Sequence, residues 1–259
     1  MKHKFRYVDK IDKPALSIHL AYGSAVHKAM EYLNNNIGKS PSLVDAFQAF
    51  HETWESELVP IKDKYRQEIM YMMALKTIEK YYAEYLEYEP AIVKYNEVDK
   101  IASECIFNVP IFYNDGREEP EYTLYGLMDI VASRDKKLFI LDYKTAKAPY
   151  TPFKVKTSIQ LTIYSYAIRW MLENGYFPYL DKKKEDYTLY HVMLKDYDSL
   201  VPNIVEHKKI VKDEDIQRLK YIMENVVKGI KCGIHIPNYT DQCVWCEYKK
   251  ECLDFKGGI

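Results

Sequence analysis

The sequence predicts a mixed α and β fold, with a central sheet flanked by helices. Three observations carry this. Apolar residues recur at helical spacing through the first third. The middle third switches to runs of aliphatic and aromatic residues suited to strands. The last third returns to helix and strand before a cysteine-rich tail. At 259 residues and 30.7 kDa, the chain can bury a sizeable core. One domain over 1–259 is expected, with a helical part at about 22–100, a sheet core at about 101–230 and a Cys tail at 231–259.

The helices come first. Ser24 can cap a helix from Ala25 to about Asn34, in which Val26, Met30 and Leu33 share one face. A second runs from Ser42 to about Leu58, between Pro41 and Pro60. A third runs from Asp63 to about Glu89 and is stopped by Pro90. Strands are expected over Ile101–Phe112, Tyr122–Ala132, Lys137–Thr145 and Tyr187–Leu194. Helices are expected over Thr157–Asn174, ended by Gly175, and over Asp213–Gly229.

Composition excludes several classes. Hydrophobic residues make up 47% and charged residues 29%, which is globular rather than disordered. No stretch approaches the ~18 uncharged apolar residues of a membrane helix. Met1-Lys2-His3-Lys4-Phe5 has no signal-peptide core, so a cytoplasmic protein is expected. The net charge of -1 gives no global field for nucleic acid, so any such site must be a local patch. Gly38-Lys39-Ser40 imitates the end of a phosphate-binding loop, but Leu33 stands where its first glycine should be.

The most informative stretch is a hairpin. Tyr125-Gly126-Leu127-Met128-Asp129 and Leu141-Asp142-Tyr143-Lys144-Thr145 flank a polar turn. If the turn centres on Asp135 and Lys136, Asp129 lies opposite Asp142, with Lys144 on the same face as Asp142. Two carboxylates about 5 Å apart among apolar strands repel each other, and something must offset that. A divalent cation such as Mg²⁺ does so directly. It takes one or two carboxylates, with phosphate oxygens and water completing the shell. Lys144 would then orient or activate a water, or stabilise charge on phosphate. The plain alternative is a Lys144 that only pairs with Asp142. A one-residue shift of the turn would separate the two aspartates.

These residues resemble the PD-(D/E)XK nuclease superfamily. The set Gly126-x-x-Asp129 followed after twelve residues by Asp142-Tyr143-Lys144-Thr145 looks most like its RecB-like branch, which includes RecB and AddB nuclease domains, CRISPR-associated RecB-like exonucleases and phage single-domain relatives. Gly23-Ser24-Ala25-Val26-His27 resembles the branch's early helical motif. Gln160-Leu161-x-x-Tyr164 resembles its QxxxY motif, and Cys243-x2-Cys246-x5-Cys252 resembles its iron–sulfur cysteines.

The resemblance implies a restriction-endonuclease-like core and a Mg²⁺- or Mn²⁺-dependent deoxyribonuclease. It would be an exonuclease on single-stranded DNA ends or flaps, in repair or recombination, phage DNA processing or CRISPR adaptation, with a helicase or a complex of those pathways as partner. His27, Asp129 and Asp142 would hold the metal, with the Tyr143 carbonyl as a further ligand. Lys144 would be the catalytic lysine, and Gln160 and Tyr164 would position the strand or the lysine. Glu31 and Glu104 are accessory acids or solvated carboxylates.

The odd count of five Cys argues against a disulfide framework. Cys105 reads as a core residue. Cys243, Cys246 and Cys252 read as soft-metal ligands, and a [4Fe–4S] cluster takes four thiolates. By the resemblance the fourth would lie upstream of Phe5, where this chain has no Cys. Cys232 is a substitute, and zinc or no metal are the alternatives. After the hairpin, Lys147, Lys154 and Lys156 with Tyr150 and Phe153 form either a single-strand path or a solvated loop. Lys182-Lys183-Lys184 reads as a surface turn. Two other functions stay open at this stage. One is a non-catalytic DNA-binding or assembly subunit of the same fold. The other is a zinc-clamped interaction domain.

Overall fold

The structure is a computed structural model. It describes residues 4–11, 18–57, 64–84, 86, 89–111, 120–134, 137–180, 186–194, 200–235, 243 and 246–254. After a short π-type turn at Lys4–Val8 come α1 (Ile18–Asn35), α2 (Leu43–Glu57) and α3 (Lys64–Glu84). Strands follow: β1 (Glu89–Pro90), β2 (Ile92–Tyr95), β3 (Val98–Ile101), β4 (Ser103–Ile111), β5 (Tyr122–Arg134) and β6 (Lys137–Ala146). Then come α4 (Pro152–Lys156), α5 (Ile159–Glu173), β7 (Asp186–Leu194), β8 (Asn203–Lys209), α6 (Asp213–Lys231) and α7 (Lys249–Asp254).

The main sheet has six strands in the order β1-β5-β6-β7-β8, and β4 also pairs with β5. All its pairs are antiparallel except β6 with β7, which is parallel and needs the crossover through α4 and α5. Each face of the sheet has its own core. Ile130, Ala132, Phe139, Leu141 and Tyr143 pack against α1, α2 and α3, with Phe50 and Trp54 among their partners. Val131, Leu138 and Ile140 pack against α5 through Leu161, Ala167, Ile168 and Met171. A third cluster, around Leu219, Met223 and Val227 of α6, rests on Ile111 with Ile163 and Tyr166 of α5. This is the mixed α/β architecture, helices on both faces of a sheet, that the patterning predicts.

Two local expectations need correction, and two stretches of strand are unexpected. The helix expected from Ala25 begins at Ile18, so Ser24 lies inside it rather than at its cap. Ala21 and Tyr22 are buried, and their burial favours extending the helix towards the N-terminus. The third helix is expected to reach Glu89, but Glu89–Pro90 is a strand paired with β5. Ile92–Ile101 is a hairpin whose turn residues Asn96 and Glu97 both have positive φ. That is the backbone of a two-residue primed turn, formed without the glycine that usually announces it. Strand β8 is a further element the patterning does not predict. Its Lys209 is buried and donates to the Ser158 carbonyl and to Thr162 Oγ1, so the strand does not read as alternating. The turn at Asp135 and Lys136 and the Lys182–Lys184 run fall outside the described residues.

Candidate active site

The β5–β6 register is the one the sequence implies. Ile130 pairs with Leu141 and Arg134 with Lys137, so Asp129 and Asp142 are the next residues along the two strands. Asp129 Oδ2 accepts the backbone N–H of Tyr143 at 2.6 Å. The side chain of one strand thus caps the backbone of the other where the Asp142-Tyr143-Lys144 motif begins.

Asp142 and Lys144 lie on the α5 side of β6, in step with Ile140. Asp142 is almost wholly buried and ion-paired with Lys144 through Oδ2. Its Oδ1 accepts from Gln160 Nε2 at 2.9 Å and from the Tyr164 hydroxyl at 3.0 Å. Gln160 also donates to the Tyr164 hydroxyl at 2.8 Å. The two α5 residues are one turn apart, which lets both reach the same oxygen. The Lys144–Asp142 pair, the plain structural alternative in the sequence, is present, but within a larger polar set.

A glycine makes room for this set. Gly126 pairs with Phe107, and a methyl group on Gly126 would lie 2.8 Å from Phe107 Cε1 and closer still to Cζ. That ring stands edge-on to Tyr164, centroids 6.1 Å apart. The Gly126-x-x-Asp129 spacing therefore joins a packing requirement to a carboxylate of the site.

On the other side of Asp129 stands His27 of α1. Its Nε2 lies 2.9 Å from the Tyr143 carbonyl, and its Nδ1 lies 3.6 Å from Asp129 Oδ1. With Nε2–H donating to that carbonyl, the neutral ring turns a lone pair at Nδ1 towards the carboxylates, the tautomer a metal ligand needs. The Tyr143 ring is edge-on to His27, and its hydroxyl accepts from Asn34 and lies 2.6 Å from the Tyr81 hydroxyl. Helices α1 and α3 thereby pin the middle residue of the Asp142-Tyr143-Lys144 motif.

Glu104 completes the group. Among the described residues, His27, Glu104 and Asp129 offer ligand atoms that all lie within 4.8 Å of one another. In the sequence Glu104 is only one of two accessory acids. Its placement is not legible there, because the backbone turns at this residue through a positive φ of 49°. Both strands change facing at this point. Ala102 and Cys105 enter the same core three residues apart, as do Met128 and Val131. Strict alternation would have put them on opposite faces. The other acid, Glu31, is ion-paired with Lys28 at 2.6 Å.

The electrostatics follow from crowding. Burial and the nearby Asp142 charge push the Asp129 carboxyl well above the usual carboxylate range, against the Tyr143 N–H and Lys144. Glu104 is pushed up to about 7 by burial, with Asp129 and Glu31 adding to it. Burial holds His27 below the ordinary histidine value, although Asp142 pulls the other way. Tyr164 stays protonated, because burial and the Asp142 charge both resist its ionisation. Two unit charges ~5 Å apart at an effective dielectric of ~20 repel by about 3 kcal/mol, so this arrangement favours binding a cation.

A family model described as the PD-(D/E)XK nuclease superfamily matches residues 1–253. The chain belongs to the PD-(D/E)XK nuclease superfamily. No curated protein matches the sequence. Among solved structures, one titled "Crystal structure of SSO0001" is similar over 90% of this chain and 94% of its own, with 11% identity and a TM-score of 0.37.

Nucleases of the PD-(D/E)XK superfamily use divalent metals, and the residues of this chain fit one. Two partly buried acids with raised pKa values and a neutral imidazole converge within ligand reach, a mainly oxygen set suited to a hard divalent cation. The fold is the restriction-endonuclease-like core, with Asp129 on β5 and Asp142-Tyr143-Lys144 on β6. No described helix is long and apolar enough to cross a membrane. Of the cysteines, Cys105 is buried beside the Tyr95 hydroxyl, as a core residue. Cys232 caps α6 and is exposed. The Cys246 backbone N–H donates to the Cys243 carbonyl at 3.4 Å, and Cys252 lies on α7.

Proposed function

We propose that the chain is a Mg²⁺- or Mn²⁺-dependent deoxyribonuclease of RecB-like type, acting as an exonuclease on single-stranded ends or flaps. The observation that carries this is the convergence of His27, Glu104 and Asp129 beside the Asp142–Lys144 pair. His27, Asp129, Asp142 and Glu104 are the residues that would hold the ion, with the Tyr143 carbonyl close by. When bound, the ion supplies Lewis acidity towards a phosphate oxygen and a water of lowered pKa.

The chain's own groups do the rest. Asp142 is fixed by Gln160 and Tyr164, so its carboxylate keeps one orientation. Lys144 places an ammonium where it can orient the attacking water and stabilise charge growing on the phosphate. Burial favours the neutral His27 ring, and the Nε2–H bond to the Tyr143 carbonyl then leaves Nδ1 as the nitrogen without a proton. Because both strands and α5 fix these groups before substrate arrives, little reorganisation is needed at the moment of cleavage.

The test is cleavage of end-labelled DNA with Mg²⁺ or Mn²⁺. Cleavage by the wild type and none by Asp142→Ala is the expected result. Equal cleavage by both would overturn the reading. The cysteine tail enters as a structural soft-metal site of Cys243, Cys246 and Cys252, with Cys232 as the fourth thiolate and iron–sulfur ahead of zinc. Phe5 stacks on Tyr248, centroids 5.8 Å apart, and the Tyr248 hydroxyl donates to the Ile11 carbonyl, so this tail packs against the first residues of the chain. Visible absorbance of anaerobically purified protein, with metal analysis, tests the site.

A further inference from the structure

The stretch that follows Lys144 is unlike the rest of the chain. Between Asp142 and Glu173 there is no acidic residue, while Lys144, Lys147, Lys154, Lys156 and Arg169 all fall there. In a chain of net charge -1, this is a locally basic stretch, from which Lys147, Lys154 and Lys156 are exposed.

The structure gives that surface a rigid mount. Helix α4 is capped by Thr151, whose side chain accepts from the Lys154 N–H, and Val155 is buried in the core shared with α5. The Tyr150 backbone N–H donates to His207 Nε2 at 3.2 Å, and the two rings stack 6.2 Å apart, 21° from parallel. Lys154 Nζ lies 3.5 Å over the Tyr150 ring. Tyr150 is also near enough to the active site to feel the Asp142 charge. The outward side of the mount holds exposed Lys147, Lys154 and Lys156, with Phe153 75% exposed among them. An aromatic ring held in water among lysines, on an element packed firmly on its other side, has no structural need to face outward.

We propose that Phe153 is a stacking platform for an unpaired base, and that Lys147, Lys154 and Lys156 hold the phosphates of the same strand as it passes the Asp142–Lys144 site. The occupant is single-stranded DNA. A basic surface with an exposed aromatic ring is how proteins hold unpaired strands without reading sequence, whereas bases in a duplex offer that ring no face. This rests on the nuclease reading for the identity of the site, but not for its own test.

The test measures binding without chemistry. The full chain carrying Asp142→Ala is titrated against a fluorescent oligothymidylate and a blunt duplex in chelator, over a series of salt concentrations. Adding Phe153→Ala is expected to weaken single-strand binding by about 5- to 150-fold and to leave duplex binding nearly unchanged. Phe153→Trp is expected to restore it. Lys154→Gln with Lys156→Gln is expected to lower the slope of log affinity against log salt by about 1.4 in magnitude, about 0.7 for each phosphate that is no longer neutralised. These residues are exposed, so melting temperatures should stay at the parent value. Unchanged single-strand affinity for Phe153→Ala, or an equal loss on duplex, overturns the proposal. Failure of the nuclease reading would show separately, as absence of cleavage by the wild type.

Discussion

The Tyr143 amide and the Asp129 carboxylate share a hydrogen bond of 2.6 Å across two strands. Asp129 therefore has a structural duty to Tyr143 as well as the metal-holding one proposed for it, carried by different oxygens: Oδ2 meets the amide and Oδ1 faces His27. Substitutions can separate them. Asp129→Asn keeps an acceptor for the amide and removes the charge, so it should fold with near-native stability and lose metal binding. Asp129→Ala leaves the buried N–H without its partner and should be less stable than Asp129→Asn by about 1–3 kcal/mol in urea denaturation. Equal stability of the two would show that the hydrogen bond contributes nothing.

Glu104 should matter to metal binding out of proportion to its signal in the sequence. Glu104→Gln is expected to weaken Mn²⁺ affinity at least about tenfold by calorimetry, which corresponds to about 1.4 kcal/mol. Glu31→Gln, which removes an ion pair with Lys28 and a more distant charge from Glu104, should change it by less than about threefold. Unchanged Mn²⁺ affinity in Glu104→Gln would remove Glu104 from the ligand set.

Metal binding should depend on pH with a definite sign. The Asp129 and Glu104 carboxyls titrate above their unfolded values, Glu104 near 7, so the metal-free fold holds protons that the unfolded chain has released. Between about pH 4.5 and 7 the folded state binds more protons. Stability without metal should therefore fall as pH rises through that window. Metal displaces those protons, so affinity should rise over the same range, by up to about tenfold per pH unit for each proton released. Thermal melts with and without Mn²⁺ at pH 5.5, 6.5 and 7.5 check both signs.

The buried Tyr143, Tyr81 and Asn34 trio is expected to act on the site from behind. Asn34→Ala leaves the Tyr143 and Tyr81 hydroxyls with one partner fewer and should cost about 1–3 kcal/mol of stability. Tyr81→Phe removes one hydroxyl and should cost about 0.5–1.5 kcal/mol. Denaturant midpoints at constant slope measure both.

Gly126→Ala should drive Phe107 towards Tyr164 and cost about 1–3 kcal/mol through overpacking. Phe107→Leu in the same chain should recover most of that loss. A double-mutant cycle reads the coupling, and strict additivity would show that the two residues do not press on each other.

The β5–β6 hairpin is legible in the sequence because strand periodicity and a polar turn fix the register, and register alone puts Asp129 beside Asp142. His27 is legible only by motif order, since nothing on α1 itself points to β6. Glu104 is hidden by the facing change at its positive φ, which local residue preference does not announce. The start of α1 is obscured because Gly23 and Ser24 look like a boundary. The glycine instead lies inside the helix near Thr145, where a methyl would sit 3.6 Å from Thr145 Oγ1. Buried Lys209 disguises β8 for a related reason: its partners, Ser158 and Thr162, lie on a different element.

The parallel pairing of β6 with β7 has a temporal consequence. When β6 emerges during synthesis, Asp129, Asp142 and Lys144 are already in hand, but Gln160 and Tyr164 are still to come and the strand that flanks β6 comes later again. A non-local crossover of this kind closes late. A nascent or truncated chain that stops before α5 would carry Asp142 without the Gln160 and Tyr164 contacts that fix its carboxylate. The enzyme thus gains its cutting edge only once the remainder of its sheet has been made.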